Sequence, residues 1–203
     1  MSDMKMGLGA PPDPIYLYVA ESVDEQGNPH PWHMFDHDAK KQIPIKERAL
    51  TGVVSGLRMK MGPEFKGKKP VKLQIQIETG EQPYVVQSGV DTTFTRGVLL
   101  ALDMVEDLTQ PLMLVVANGG EKVVFGRIHY ANNRQRIQVM WDKERKIFPM
   151  VQKLQTKLGM KTQTWEDVQA TEKIGTTART NDDPYEEAPP PQETDLTEDD
   201  IPF

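Results

Sequence analysis

The chain has 203 residues, no cysteine and a formal net charge of −6. The lack of cysteine excludes disulfides, thiol nucleophiles and cysteine-ligated zinc. The longest apolar runs, 97–102 and 112–117, are too short to span a bilayer, and no apolar signal-peptide core is present near residue 1. We therefore expect a soluble, cytoplasmic protein with no membrane partner.

Residues 1–40 are predicted to form an N-terminal extension, in which only 14–20 has the composition of a short strand. The following segment combines three histidines with two aspartates, namely His30, His33, His37, Asp36 and Asp38. These residue types can ligate a metal, but a scattered set beside prolines is more typical of a plain loop. We predict no metal and no cofactor here, with a metal site as the alternative.

From residue 50 onward the periodicity is clearer. Alternation of apolar and polar residues predicts three strands, at 50–61, 71–78 and 83–90. Helical spacing then runs from Phe94 to Val105, with N-cap candidates at 91–93 and with Pro111 preventing continuation. Two further strands are predicted on either side of an Asn-Gly-Gly turn, at 111–117 and 122–130. The segment 136–141 is predicted to be an extension or a sixth strand.

Three strands, a helix and two strands is the element order of the OB-fold, a five-stranded Greek-key barrel that commonly binds oligonucleotides. We therefore predict a mainly β protein with an OB-fold over residues 41–142. Another small α+β or β-barrel domain with the same element order is the alternative.

Residues 143–170 are predicted to form a C-terminal helical segment that either closes one end of the barrel or mediates self-association. Its first helix is expected at 148–158, and a second one begins near Thr164, since Thr164–Asp167 resembles a capping box. Residues 171–203 are rich in threonine, proline and acids, and we expect a disordered acidic tail.

Charge is distributed very unevenly along the chain. Residues 171–203 hold ten acids and two bases, a net of −8, so residues 1–170 carry +2 of the total of −6. Residues 40–72 hold ten bases against Glu47 and Glu64. A basic block combined with an acidic arm is typical of a polyanion-binding protein whose own tail competes for the same site.

Binding of single strands without sequence preference requires cations along the phosphate path and flat rings for the bases. The first two predicted strands and the loop between them supply the cations, which are Arg58, Lys60, Lys66, Lys68, Lys69 and Lys72. Phe65, inside the basic loop, is the first candidate for stacking, followed by Tyr84 and then Trp32. Phe125, Tyr130 and Trp141 lie in strands that are apolar on both faces, so core and surface positions are equally compatible with the pattern.

The chain ends in five residues, Asp199, Asp200, Ile201, Pro202 and Phe203, after further acids and a proline-rich spacer. This segment resembles the C-terminal tip of bacterial single-stranded DNA-binding proteins. The resemblance covers only the tail, because the body lacks the usual N-terminal sequence pattern of that family. It implies a tip that recruits replication, recombination and repair enzymes to coated single strands. The divergent body favours a phage- or plasmid-encoded member over a chromosomal one.

Together these features predict a sequence-independent single-stranded DNA-binding protein, associated with the bacterial nucleoid, that protects single strands and recruits partner enzymes. Assembly into a homo-oligomer would add avidity. The alternative is a replisome adaptor or recombination mediator with weak DNA affinity. We do not predict an enzyme, because no phosphate-binding glycine loop, HExxH motif or nucleophile elbow is present. A nuclease built from isolated acids is the remaining enzymatic alternative.

Overall fold

The computed structural model describes residues 12–64, 67–120 and 122–174, with the side chains of 172–174 excepted. Within these ranges the chain forms ten strands, β1 Ile15–Tyr18, β2 Ser22–Val23, β3 Pro29–His30, β4 His33–Asp36, β5 Lys41–Pro44, β6 Ala49–Met61, β7 Val71–Glu78, β8 Pro83–Gly89, β9 Leu112–Asn118 and β10 Val124–Tyr130. The same ranges contain three helices, α1 Thr93–Met104, α2 Ile147–Lys157 and α3 Trp165–Ile174. None of these helices is both long and apolar enough to cross a membrane.

Eight of the strands form one curled sheet, a half-barrel, in the order β10-β9-β6-β7-β8-β1-β4-β5. Strands β2 and β3 form a separate hairpin. Neighbouring strands of the large sheet are antiparallel, except that β1 runs parallel to β8. Within the sheet, β9, β6, β7 and β8 are adjacent in the spatial order of a Greek key, in which the fourth strand returns to lie beside the first.

The hydrophobic core lies between the inner face of this sheet and helices α1 and α2. Helix α1 buries Phe94, Val98 and Leu102 and approaches β10 closely at Gly126. A Cβ atom at Gly126 would lie 2.4 Å from Cγ2 of Val98, so only glycine allows this contact. Thr92 is the N-cap of α1, and its side chain accepts a hydrogen bond from the backbone N–H of Thr95.

The element order predicted for residues 50–130 is confirmed, with bounds that differ from the structure by at most two residues. The capping box at the start of α3 is also present. The Asp167 backbone N–H donates to Thr164 Oγ1 at 3.2 Å, and the Thr164 backbone N–H donates to Asp167 Oδ2 at 2.7 Å. Local patterns of period 2 and 3.6 are therefore sufficient to place these elements.

The predicted five-stranded sheet is wrong in its strand number. The sheet has eight strands, because β1, β4 and β5 continue it beyond β8. Strand β1 pairs with β8 in parallel, with Ile15 opposite Tyr84, although these residues lie far apart in the chain. Periodicity reports only which residues share a face of one strand, so it cannot reveal which distant strand is the neighbour.

The predicted strand at 136–141 is also absent. Its backbone makes one isolated bridge to β10, between Arg136 and His129. The chain then turns across α1, where Nη1 of Arg96 donates to the carbonyls of Asp142 and Arg145 at 3.0 and 2.8 Å. These two hydrogen bonds fix the chain that follows the predicted strand against α1.

Ion pairs and hydrogen bonds hold helix α2 against the C-terminal end of α1. Asp103 is buried and pairs with Arg145 and Lys153, with 2.6 Å between Lys153 Nζ and Asp103 Oδ1. Burial alone would raise the pKa of Asp103, but hydrogen bonds and positive charge from Lys153 and Arg145 outweigh burial, and the pKa lies below its ordinary value. Lys157 Nζ donates to the carbonyls of Asp103 and Val105, which satisfies the C-terminal end of α1.

The segment joining α2 and α3 protects an edge of the sheet. Strand β9 pairs with β6 only over Ala49–Gly52, so the second half of β6 needs other partners on that side. Gln163 supplies them with its side-chain amide, which accepts from the Met59 N–H at 2.7 Å and donates to the Met59 carbonyl at 3.0 Å. Buried Gln155 donates to the Leu57 carbonyl at 2.9 Å. Two glutamine amides therefore take the place of a neighbouring strand.

Replacing Gln163 with Ala is expected to lower the free energy of unfolding by about 1–3 kcal/mol, because Met59 is buried and both its backbone groups lose a partner. Urea denaturation followed by circular dichroism measures the change. Gln169→Ala is the matched control, since Gln169 is exposed on α3 and should shift stability by less than about 0.5 kcal/mol. Equal effects of the two substitutions would contradict the role of Gln163 as an edge partner.

Candidate nucleic-acid interface

The face of β6, β7, β8, β1 and β4 that points away from the core is called the outer face here. One row of directly opposed residues crosses all five strands on this face. It consists of Arg58, Gln74, Gln87, Tyr18 and His33. Directly opposed residues of paired strands lie on the same side of a sheet. Residues two positions along each strand from this row therefore belong to the outer face as well.

A chain of amides fixes the basic end of this row. Nε of Arg58 donates to Oε1 of Gln74 at 2.5 Å, and Nε2 of Gln74 donates to Oε1 of Gln87 at 2.6 Å. Both glutamines are buried, whereas Arg58 is exposed. The hydrogen bond restricts the guanidinium to one orientation while its charge faces solvent, which lowers the entropy lost when an anion binds.

Two lysines lie next to Arg58 on the same face. Lys60 is two residues further along β6, and it is directly opposite Lys72 of β7. Two cationic side chains directly opposite each other across a strand pair concentrate positive charge where an anion can bind. We call Arg58, Lys60 and Lys72 the basic cluster. All three predicted cations of the strands are thus brought together.

The loop between β6 and β7 adds further charge. Lys68 and Lys69 are exposed in this loop, and Lys69 Nζ lies 3.9 Å from Oε2 of Glu64. An exposed ion pair of this length contributes little to stability. The other two predicted loop residues, Phe65 and Lys66, lie outside the described residues.

Two of the predicted stacking rings are not on the outer face. Trp32 is buried, and its Nε1–H donates to the Glu47 carbonyl at 2.7 Å. Tyr84 is opposite Ile77 and Ile15 and packs, half-buried, against the core. The apolar pair at positions 85 and 86 conceals which face of β8 is the inner one, so alternation alone could not place Tyr84.

The structure distinguishes core from surface positions for the three aromatic residues that the sequence pattern left open. Tyr130 packs against the core, whereas Phe125 and Trp141 are 37% and 44% exposed. Phe125 lies on edge strand β10, opposite Ala117 of β9. Only β9 lies between β10 and β6, the first strand of the basic cluster.

The three histidines of the N-terminal segment have separate roles. His30 Nε2 lies 3.1 Å from Oδ2 of Asp24 in the β2–β3 hairpin, and hydrogen bonds from Asn28, His30 and Gln26 lower the pKa of Asp24. His33 is buried, and burial lowers its pKa to about 4. His37 makes an edge contact with Phe35. Among the described residues, no three His, Asp or Glu side chains come together as a metal site.

Sequence reasoning missed the aromatic residues of β1 and β4. Tyr16 and Tyr18 stack with 6.2 Å between ring centroids, and Tyr18 stacks on His33 at 5.8 Å. Tyr16 and Phe35 are half-buried and lie on the outer face, since each is two residues from a member of the row. The alternation in Ile15–Tyr18, with both tyrosines on one side, is the signal that could have identified them.

Comparison with models of protein families, with curated protein sequences and with solved structures finds no match to this chain.

Proposed function

We propose that this protein binds single-stranded DNA without sequence preference, protects it and recruits replication, recombination and repair enzymes. The observation that carries the proposal is the basic cluster, in which an oriented Arg58 lies beside two directly opposed lysines. Closely spaced cations on a sheet face provide favourable sites for the regularly spaced phosphates of a nucleic-acid backbone. This is a binding function, and it requires no cofactor.

We also propose that β6 to β10 together with α1 correspond to an OB-fold. Three features support this correspondence. They are the Greek-key order β9-β6-β7-β8, the position of α1 between β8 and β9 in the chain, and the curl of the sheet. In this correspondence the basic cluster lies on the first two strands of the fold. The loop that carries Lys68 and Lys69 is its first connecting loop, which is one of the ligand-binding elements of OB-folds.

The acidic segment 175–203 is proposed to act in recruitment and as a competitor for the basic cluster. Thr171 Oγ1 of α3 accepts a hydrogen bond from the Met61 N–H at 2.9 Å, so the helix that precedes the acidic segment in the chain contacts the end of β6 that carries Lys60. Displacement of the acids by DNA would release the segment Asp199–Phe203 for partner enzymes. The resemblance of this segment to the tip of single-stranded DNA-binding proteins supports the same role.

Fluorescence anisotropy of labelled oligo-dT and of a duplex of equal length, each at two salt concentrations, tests the proposal. We expect binding to the single strand that weakens steeply with salt, and at least tenfold weaker binding to the duplex. Equal affinity for the two ligands would contradict the single-strand preference. Absence of binding at low salt would refute the DNA-binding function and favour the adaptor alternative.

A further inference from the structure

We propose that the outer side of β10 and of the segment after it is a second contact site for the single strand, in which Arg127 and Arg136 bind phosphates and Phe125 stacks on a base. The inference rests on the proposed function, because it concerns the same ligand. It adds cations that lie outside the basic block of residues 40–72.

Strand pairing places this site on the outer face. Arg127 of β10 is opposite Val115 of β9, and Val115 is opposite Ala49 of β6. These three side chains therefore share one side of the sheet. It is the outer side, because the alternate residues of β10, Val124 and Ile128, are buried in the core.

A ring and cations follow one another along this side. Phe125 comes two residues before Arg127, and His129 comes two residues after it, so successive members lie about 7 Å apart along the strand. Arg136 is the antiparallel bridge partner of His129 and therefore lies beside it on the same side. We call Phe125, Arg127, His129 and Arg136 the β10 strip.

Hydrogen bonds hold the segment that carries Arg136 against β10. The N–H of Ile137 donates to the Ile128 carbonyl at 2.9 Å. Nδ1 of His129 donates to the Arg134 carbonyl, also at 2.9 Å. The backbone of Arg136 is therefore fixed while its side chain is exposed, which lowers the entropy lost when an anion binds.

The β10 strip is positively charged, and its arginines are not neutralised by the part of the chain that the structure describes. Residues 122–141 contain four bases and no acid, the bases being Lys122, Arg127, Arg134 and Arg136. None of the three arginines forms an ion pair with another described residue. Arg127 and Arg136 are both exposed, and an exposed guanidinium can bind a phosphate through two parallel hydrogen bonds. The ligand that complements this surface is a polyanion.

The ring of Phe125 makes the site suitable for a single strand in particular. Phe125 is 37% exposed, and it packs against the turn at Gly119, where a Cβ atom would collide with the ring. Support from the turn restricts the ring while leaving part of it open to solvent. A single strand offers unpaired bases to such a ring as well as phosphates to the arginines, whereas a duplex offers phosphates alone.

Exposed surface connects the β10 strip to the basic cluster along β6. On the outer side of this strand Ala49, Thr51, Ser55 and Arg58 are exposed. The distance from Ala49 to Arg58 along the strand is about 30 Å, which about nine stacked nucleotides would cover. Glu78 accepts a hydrogen bond from Ser55 on this route, so phosphates are expected to bind at its two ends. The two sites can thus hold one strand and act with the avidity of linked sites.

The double variant Arg127→Glu/Arg136→Glu tests the phosphate contacts. Its affinity for a 30-residue oligo-dT should fall about tenfold or more at low salt, and the slope of log affinity against log salt should decrease in magnitude by about 1.4, at roughly 0.7 per contact. Lys143→Glu/Lys146→Glu is the matched control, because it makes the same change in net charge at exposed positions outside the outer face. The control should show a smaller loss of affinity and an unchanged slope.

The stacking contact is tested by comparing oligo-dT with an abasic deoxyribose-phosphate strand of equal length. Phe125→Leu should lower the affinity for oligo-dT about fivefold or more and leave the affinity for the abasic strand unchanged. Phe125→Tyr keeps the ring and should keep the affinity. Photo-crosslinking of the wild type to a strand that contains 5-iodo-deoxyuridine requires no variant to fold, and it should give adducts on Phe125.

Three outcomes would overturn the inference. If the wild type binds oligo-dT, unchanged affinity and slope in the double arginine variant, with adducts only elsewhere, would remove the β10 strip and leave the proposed function intact. If a labelled peptide of residues 193–203 binds the wild type but not the double variant, and oligo-dT affinity is unchanged, the strip would instead bind the acidic tail of a second copy. Failure of the wild type to bind oligo-dT would remove both the inference and the proposed function.

Discussion

Replacing Arg58, Lys60 and Lys72 together with Glu should weaken oligo-dT binding by a factor on the order of 100 at low salt. Each of these cations is expected to neutralise one phosphate, so its loss removes counterion release as well as direct attraction. The slope of log affinity against log salt should therefore decrease in magnitude by about 2, at roughly 0.7 per phosphate contact for a single strand. Anisotropy titrations at four or more salt concentrations measure both quantities.

The control must change the net charge by the same amount at another place. Lys143, Lys146 and Lys161 are exposed and lie outside the outer face, so their joint replacement with Glu serves this purpose. We expect this control to lower affinity several-fold through the general field of the protein, without the same loss of slope. Identical behaviour of the two triple variants would mean that net charge, and not the basic cluster, governs binding.

Lowering the pH from 6.5 to 4 should reduce the free energy of unfolding by about 3 kcal/mol through His33 alone. Burial lowers the pKa of this histidine to about 4 in the folded protein, whereas an unfolded histidine has a pKa near 6.5. Between these values the unfolded chain binds a proton that the folded chain rejects, so acid favours unfolding. Below about pH 4 both states are protonated, and the contribution of His33 stops growing.

Urea denaturation at several pH values between 7 and 4 measures this change in the free energy of unfolding. His33→Asn should be less stable at pH 7, because it disturbs the stack with Tyr18, but its stability should depend much less on pH. His37→Asn is the control, since His37 is exposed, and it should keep the wild-type slope. A wild-type stability that is flat between pH 6.5 and 4.5 would contradict the burial of a neutral His33.

These two predictions concern the two ends of one row across the outer face. Arg58 at one end supplies charge, and buried His33 at the other end supports the aromatic layer of β1 and β4. Acidification below pH 6.5 is thus expected to destabilise the aromatic layer of β1 and β4 through His33. Single-strand affinity and stability should be measured on the same samples to separate these effects.

The sequence by itself determined the local elements of this protein. Alternation in 71–78 located β7 to the residue, and the helical spacing of Phe94, Val98 and Leu102 located α1, because the periods 2 and 3.6 follow directly from backbone geometry. It also identified Arg58, Lys60 and Lys72 as one group, since the alternation of β6 and β7 puts them on the polar side. These are short-range properties of strands and their polar faces.

Only the tertiary structure decided which distant segments became neighbours. The parallel pairing of β1 with β8 adds three strands to the sheet, brings Tyr16 and Phe35 to the face of the basic cluster, and turns Tyr84 toward the core. The burial of Trp32 and the use of Gln163 as a substitute strand were decided in the same way. Such pairings depend on shape and on which backbone edges are left without partners after the local elements form, and no short sequence pattern encodes either.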